Sequence, residues 1–346
     1  MTDATPAHDR PPAREIASFD VVLAALAAAG EATRLRLLAL LSEAELTVSE
    51  IVAILGQSQP RVSRHLKLLV EAGLVERHRE GAWAFFFLSQ TGPAAGFARD
   101  VVGRLDGQEP LVAADRARLS EVRRQRAEQA ARYFAAHAAN WDEVRAMHLP
   151  EERVEAAIRE IVGPAPVDAL LDLGTGAGRM LELIAPQAAR AVGVDQSPQM
   201  LAVARARFER AGLRNAQLRQ GDIYALPVEA DGYDLIMMHQ VLHYLDDPAR
   251  AVREAARALR PGGRLIVVDF APHDEEHLRD AHAHRRLGFS GEEVAGFLEA
   301  AGLAAGPPLD LAPEAGEGGK LTVSIWLGRD PRIVSDSFPL AAREVA

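Results

Sequence analysis

Leu170-Leu-Asp-Leu-Gly174-Thr-Gly-Ala-Gly-Arg179 is the stretch that decides how the second half of this chain folds. Ala169 to Leu173 is an apolar run of strand length. The loop after it carries glycine at every second position, and Met180-Leu-Glu-Leu-Ile184 then resumes with helical spacing. Strand, glycine loop and helix form the setting in which such a loop receives a nucleotide-like ligand, because glycine turns tightly and lets a ligand rest on bare main chain. A glycine loop alone says little. Arg190 to Val194, however, reads as a second buried strand that ends at Asp195. Doubly wound folds place a carboxylate for a ribose diol about twenty residues past the glycines. The loop holds no Lys-Ser or Lys-Thr for a triphosphate, which excludes a P-loop.

Outward from this stretch, apolar strands at about 168–173, 191–195, 216–220, 233–238 and 264–269 alternate with helical segments. That repetition predicts a parallel sheet covered on both faces, with ligands beyond the carboxyl ends of the strands. Leu321 to Leu327 alternates and is expected to close the edge as an antiparallel strand. Five motifs fall in order: Asp172-Leu-Gly-Thr-Gly-Ala-Gly178, Asp195, Gly221-Asp-Ile223, Tyr233-Asp-Leu-Ile-Met-Met-His239 and Arg260-Pro-Gly-Gly263. Together they resemble class I S-adenosylmethionine-dependent methyltransferases, over roughly Tyr133 to Gly328. The resemblance implies a Rossmann-like α/β domain over 132–330 with a mostly parallel seven-stranded sheet. It implies S-adenosylmethionine or S-adenosylhomocysteine as ligand and no metal. The implied contacts are Tyr133, then Asp172, Gly174, Thr175, Gly176 and Gly178, then Asp195, Gln196 and Met200. Gly221, Asp222, Ile223, His239 and Gln240 complete the set.

Methyl transfer from a sulfonium is an in-line displacement that needs alignment and exclusion of water, and a base only if the acceptor arrives protonated. Beyond the fourth strand stand His239, His243 and Tyr244. His239 and Tyr244 are the catalytic candidates; His243, on the following turn, has packing as its alternative role. Tyr133-Phe134-Ala-Ala-His-Ala-Ala-Asn-Trp141-Asp142 predicts an aromatic helix lying over the cofactor, with core packing the alternative for Phe134 and Trp141. His273-Asp-Glu-Glu-His277 matches the H-x-x-E-H zinc pattern in form only, since it follows a strand of the methyltransferase pattern. With His282, His284, Arg285 and Arg286 it is expected to cap the pocket instead.

The 346 residues, 48% hydrophobic, suffice for two domains with cores, and aromatics at 5% leave those cores to Leu, Val and Ala. No apolar run reaches membrane-spanning length, and no signal-peptide pattern opens the chain. The absence of cysteine excludes disulfides, thiolate metal sites and a cysteine nucleophile, and fits a cytoplasmic setting. A net charge of −10 argues against coating nucleic acid along the whole chain, so any DNA contact must be a local patch.

The first half supplies such a patch. Residues 1–14 read as a disordered tail. Ile16 to Ala29 reads as a helix closed by Gly30 in the C′ position, and Thr33 to Leu41 as an amphipathic helix. Thr47 caps Val48 to Leu55, with Glu50 completing a capping box. Gly56 turns the chain, and Ser58 caps a helix over Gln59 to Ala72 with Pro60 in its first turn. Val62, Leu66, Leu69 and Val70 form a core face; Gln59, Arg61, Ser63, Arg64 and Lys67 form the other. This is a helix-turn-helix, and a hairpin wing with a basic tip at Arg77, His78 and Arg79 follows. From Leu55 to Glu80 there are five Lys/Arg against three Asp/Glu, whereas residues 1–106 hold eleven against thirteen. Positive charge is thus gathered where phosphates would be met. The expected DNA contacts are Ser58, Gln59, Arg61, Ser63, Arg64, Lys67, Arg77 and Arg79, with His65 structural or phosphate-facing.

Thr33-Arg-Leu-Arg36, Ser63-Arg-His-Leu-Lys-Leu-Leu69, Ala72-Gly-Leu-Val75 and the aromatic second wing strand resemble the ArsR-type winged-helix repressors over about 15–106. The family dimerises through its first and last helices, which implies a homodimer seam along 16–29 and 94–105. Members that sense thiophilic metals carry cysteines near the turn, where this chain has Thr47 and Ser49. Others carry carboxylate/His pairs on the last helix, yet 97–105 contains no His. Metal sensing by either route is not expected. Residues 107–131 read as a helical linker whose Arg116, Arg118, Arg123, Arg124 and Arg126 alternate with acids, a solvated connector or a second DNA patch. Residues 331–346 read as a loose tail.

Taken whole, the chain resembles proteobacterial ArsR-type regulators with a C-terminal methyltransferase-like domain, most of all at Arg219 to Pro227, His239 to Pro248 and Ala283 to Phe289. The resemblance implies a repressor of methionine-cycle genes that answers to S-adenosylhomocysteine. A methyltransferase acting on a small acceptor, with an autoregulatory DNA-binding domain, is the second possibility. Arsenic methylation is excluded because it depends on cysteines.

Overall fold

The computed structural model describes residues 17–80, 83–89, 92–141, 151–314 and 320–332. The tail at 1–14, Ile16, the wing turn at Gly81, Asp142 and the chain beyond Arg332 lie outside the described residues. Two compact units divide between Arg126 and Ala127.

The first unit opens with α1 (Phe19–Ala29), capped by Ser18, and α2 (Ala32–Glu43). Gly30 closes α1 at φ −74°, so the left-handed stop expected there is not used. β1 (Leu46–Thr47) is two residues long, too short to show a period in the sequence, and pairs antiparallel with β3. Thr47 then caps α3 (Val48–Leu55) with the full capping box through Glu50, and Gly56 turns at φ +65°. α4 (Gln59–Glu71) follows; Ser58 holds the N-cap position, but its side chain makes no cap bond, and Pro opens the helix. β2 (Val75–Glu80) and β3 (Trp83–Leu88) pair antiparallel, and α5 (Ala95–Val102) closes the winged helix. Arg77, His78 and Arg79 stand inside β2, opposite Phe86, Phe85 and Ala84, rather than at the wing tip. The ladder runs on to Glu80 because the aromatic strand beside it supplies a partner at each step.

α6 (Pro110–His137) replaces the expected connector and the separate aromatic helix with one continuous helix. Its first half is solvated on one side only and packs against the unit on the other. Leu119 joins the core formed by Leu37, Leu41, Ile51, Ile54, Val62, Leu66 and Leu69. Asp115 is buried and takes two bonds from Arg36, at 2.6 and 2.7 Å. Arg116 pairs with Glu43 at 2.5 Å. Alternating charge in sequence concealed that these arginines find their partners across space.

The second unit is an eight-stranded sheet with helices on both faces. In chain order come α7 (Glu151–Val162), β4 (Val167–Leu173), α8 (Arg179–Ile184), β5 (Ala188–Asp195), α9 (Pro198–Ala211), β6 (Ala216–Gln220) and β7 (Tyr233–His239). Then follow α10 (Pro248–Ala258), β8 (Leu259–Phe270), α11 (His277–His282), α12 (Gly291–Ala300), β9 (Ala304–Ala305), β10 (Leu309–Leu311) and β11 (Val323–Arg329). Strands run in the order β10-β11-β8-β7-β4-β5-β6 with β9 beside β11; the β6–β8 set is parallel, and β11 pairs antiparallel with β8. β4 is flanked by β5 and β7, so the chain reverses its direction of travel across the sheet there. That switch leaves a crevice outside the carboxyl ends of the strands.

Candidate functional site

At the switch, Gly174, Gly176 and Gly178 take φ of +70°, +51° and +82°. A Cβ on Gly174 would stand 2.5 Å from Val241 Cγ2, and one on Gly178 2.7 Å from the Phe208 ring. Only glycine fits either turn. Gly174 and Thr175 donate their N–H groups to the Val194 carbonyl at 2.9 and 3.1 Å, and the Thr175 hydroxyl donates to Asp172 Oδ2 at 2.5 Å. Asp172 and Thr175 are both buried and brace the turn from beneath. The turn reaches Asp195 directly: Gly176 N–H donates to Oδ2 and Ser197 N–H to Oδ1, both at 2.8 Å. Burial pushes the Asp195 carboxyl up, partly countered by the N–H groups of Ser197, Gly176 and Gln196. Gly176 serves one oxygen and Ser197 the other, and acceptor capacity is left on the carboxylate.

Around this centre the other expected ligand residues divide. Gly221 donates its N–H to the Asp195 carbonyl at 3.1 Å, and a Cβ there would strike Pro227. Ile223 packs half-buried against the core, whereas the Asp222 carboxylate caps its own turn by accepting from Tyr224 N–H at 2.9 Å. Gln196 is exposed; Met200 is buried under the start of α9. His239 ends β7, half-buried, in register with Val268. Gln240 is more telling. It is buried in the left-handed region at φ +54°, its N–H donates to the Val268 carbonyl at 2.8 Å, and its Nε2 has no hydrogen-bond partner among the described residues. A strained backbone and an unspent amide donor coincide at this position.

Aromatic side chains close over these elements. Tyr133 Oη is hydrogen-bonded to His282 Nδ1 at 2.8 Å, and burial pushes the phenol up to about 12. Trp141 brings its indole nitrogen to 3.6 Å from where a Cβ on Gly176 would be, so it lies against the glycine turn. Phe134 packs edge-on against Tyr244 and Trp141, with centroids 4.8 and 5.6 Å away. Burial pushes Tyr244 well above the ordinary phenol value, followed by the proximity of Tyr133 and Asp269, which argues against its serving as a base.

In the first unit, Ser58, Gln59, Arg61, Ser63, Arg64 and Lys67 form the exposed face of α4, while Val62, Leu66 and Leu69 are buried. Arg77 and Arg79 are exposed on β2. His65, beside Glu31 at 3.6 Å, turns away from that face into the unit.

Residues 31–77 match the family described as bacterial regulatory protein, arsR family, and residues 171–267 match the family described as methyltransferase domain. This chain joins an ArsR-family domain to a methyltransferase domain. An uncharacterized methyltransferase of Bacillus subtilis, YcgJ, is 36% identical over 106 residues, 30% of this chain and 42% of that protein. The ubiquinone biosynthesis O-methyltransferase of Methylocella silvestris is 33% identical over 169 residues, 44% of this chain and 65% of that protein. The matched segments thus span less than two thirds of either relative. The crystal structure of YcgJ covers 51% of this chain and 98% of its own at 21% identity, with a TM-score of 0.44.

Within the methyltransferase domain, the sequence reading missed one buried pair. His243 Nδ1 lies 2.7 Å from Asp269 Oδ1, and both side chains are almost wholly enclosed. Asp269 also accepts from the N–H groups of Phe270 and His243, at 2.8 and 3.3 Å. That leaves His243 Nε2 buried without a partner among the described residues. The signal was a carboxylate inside the apolar strand Leu265-Ile-Val-Val-Asp269-Phe270, since a buried charge must find a partner. The H-x-x-E-H histidines do not converge. His273 Nδ1 accepts from Glu275 N–H at 3.2 Å, and His277 pairs with the Glu275 carboxylate at 3.3 Å. Burial pushes His273 down to about 4. Among the described residues no group of three possible ligands gathers for a metal, and no helix is long and apolar enough to cross a membrane.

Proposed function

We propose that this chain is a DNA-binding transcriptional regulator, repressing genes of the methionine and S-adenosylmethionine cycle. Its methyltransferase-like domain binds S-adenosylhomocysteine or S-adenosylmethionine as effector. The observation that carries the reading is the Gly176–Asp195 junction: a left-handed glycine turn bonded to a carboxylate that keeps acceptor capacity, suited to a ribose hydroxyl. Residues 15–106 are the DNA-reading domain, 107–131 the helical link and 132–330 the ligand domain. α4 enters the major groove with Arg61, Arg64 and Lys67, and Arg77 and Arg79 track the backbone.

A homodimer seam along α1 and α5 is supported by the outward face of α1. There Phe19, Val22, Leu23 and Leu26 recur at helical spacing, and Phe19 is 79% and Leu23 55% exposed. Such a seam sets two copies of α4 at half-sites about one DNA turn apart. If ligand alters DNA affinity, DNA alters ligand affinity by the same factor. Duplexes selected from random sequence by the protein itself, titrated by anisotropy with and without saturating S-adenosylhomocysteine, test the reading. A change in affinity of about 5- to 150-fold is expected. Equal affinity in both titrations refutes it.

The second reading, methyl transfer to a small acceptor, is favoured by one observation. Asp269 holds the Nδ1 side of His243, which leaves Nε2 as a proton acceptor. Turnover of labelled S-adenosylmethionine, abolished by His243→Gln, is what that reading requires.

A further inference from the structure

α6 holds both ends of α3. Arg126 Nε donates to Glu50 Oε1 at 2.7 Å, while Glu50 Oε2 accepts the Thr47 N–H and hydroxyl, each at 2.9 Å. The carboxylate that caps α3 is therefore the one that α6 grips. At the far end, Arg118 donates to the Ile54 carbonyl at 3.1 Å, one of the last-turn carbonyls that no intrahelical N–H serves. Arg123 donates to the Glu43 carbonyl, just before the turn into α3. The Arg126–Glu50 pair is largely shielded, with side chains 17% and 20% exposed, so solvent screens it less than a surface pair. α3 in turn shares its core residues Ile51 and Ile54 with Val62 and Leu66 of α4.

The same helix runs on without a proline or glycine from Leu111 to Tyr133 and His137. Tyr133 bonds His282, and Trp141, one short turn beyond the helix, lies against Gly176. A ligand on the glycine turn must meet these aromatics. An α-helix rises about 1.5 Å per residue. A slide of one residue would therefore take Arg126 out of hydrogen-bond range of Glu50.

We propose that Arg118 and Arg126 are positioning residues through which ligand occupancy sets the attitude of α3, and with it the angle at which α4 meets DNA. The proposal rests on the effector reading above. Its test is hydrogen exchange on the full-length chain, read by mass spectrometry over residues 48–55, with and without saturating S-adenosylhomocysteine. In the wild type the ligand changes exchange there about fivefold or more. In Arg118→Ala/Arg126→Ala the change disappears, while calorimetric affinity for S-adenosylhomocysteine stays within about twofold, because the substitutions are remote from the ligand.

Glu50→Gln, which can still accept from Thr47 but carries no charge for Arg126, guards against a folding defect in the double variant. It should show the same loss of response with its thermal transition intact. An undiminished response of residues 48–55 in both variants overturns the proposal, as does a wild type that binds ligand with no response there. Failure of the wild type to bind S-adenosylhomocysteine in the calorimeter sinks the effector reading itself, and the coupling with it.

Discussion

The two sides of the ligand end of the sheet are built by opposite means. On the β4–β5 side, bare backbone does the shaping. Three glycines, one carboxylate and a buried Asp172–Thr175 brace make a rigid turn with few side chains exposed to a ligand. On the β7–β8 side, side chains do it. The rings of Tyr244, His284 and Phe270 pack around His243 with centroids 4.0–5.3 Å from it, and His243 bonds the Asp269 carboxylate. On the proposed reading, the first side receives the nucleoside and the second faces its reactive end. A backbone cradle tolerates no substitution but asks little of its surroundings. A wall of rings can be altered piecemeal, so specificity belongs there.

The strongest way to break this contrast is Asp195→Ala. It removes the carboxylate proposed to receive the ribose and should weaken S-adenosylhomocysteine binding on the order of 100-fold by calorimetry, through the loss of charge-assisted bonds. The same carboxylate gives the contrast a pH signature. Burial raises its folded pKa, and the protonated acid loses acceptor capacity. Affinity should therefore fall as pH drops through a range above that of ordinary carboxylates and be whole above it. Asp269→Ala comes next. It strands the buried His243 Nδ1 and the Phe270 N–H, and should cost about 1–3 kcal/mol in chemical denaturation while leaving the glycine cradle able to bind nucleoside. Tyr244→Phe sharpens the contrast from its weak end. With the phenol held protonated by burial, its loss should change ligand binding by less than about twofold, a surface-like effect of within ~0.5 kcal/mol. A large effect would restore Tyr244 as a chemical participant.

The same contrast explains what the sequence disclosed. The glycine turn, the Thr47–Glu50 capping box and the parallel strands are written in contiguous residues, and strands covered on both faces read as unbroken apolar runs. The His243–Asp269 pair spans 26 residues and the Tyr133–His282 bond 149, so neither shows as a spacing. α6 misled for the same reason. Its arginines look solvated beside their neighbours in sequence, yet Arg118 and Arg123 reach partners 64 and 80 residues away. Arg77 to Arg79 were expected at the tip because Gly81 marks the turn two residues on, but strand pairing extends to that very boundary.

The outward ridge of α1 carries a consequence of a different kind. Phe19, Leu23 and Leu26 are left in water on a single copy. Should two copies cover that ridge mutually, the species that grips an operator becomes second order in protein. Operator occupancy would then climb steeply with cellular abundance, far more sharply than a one-copy binder could achieve.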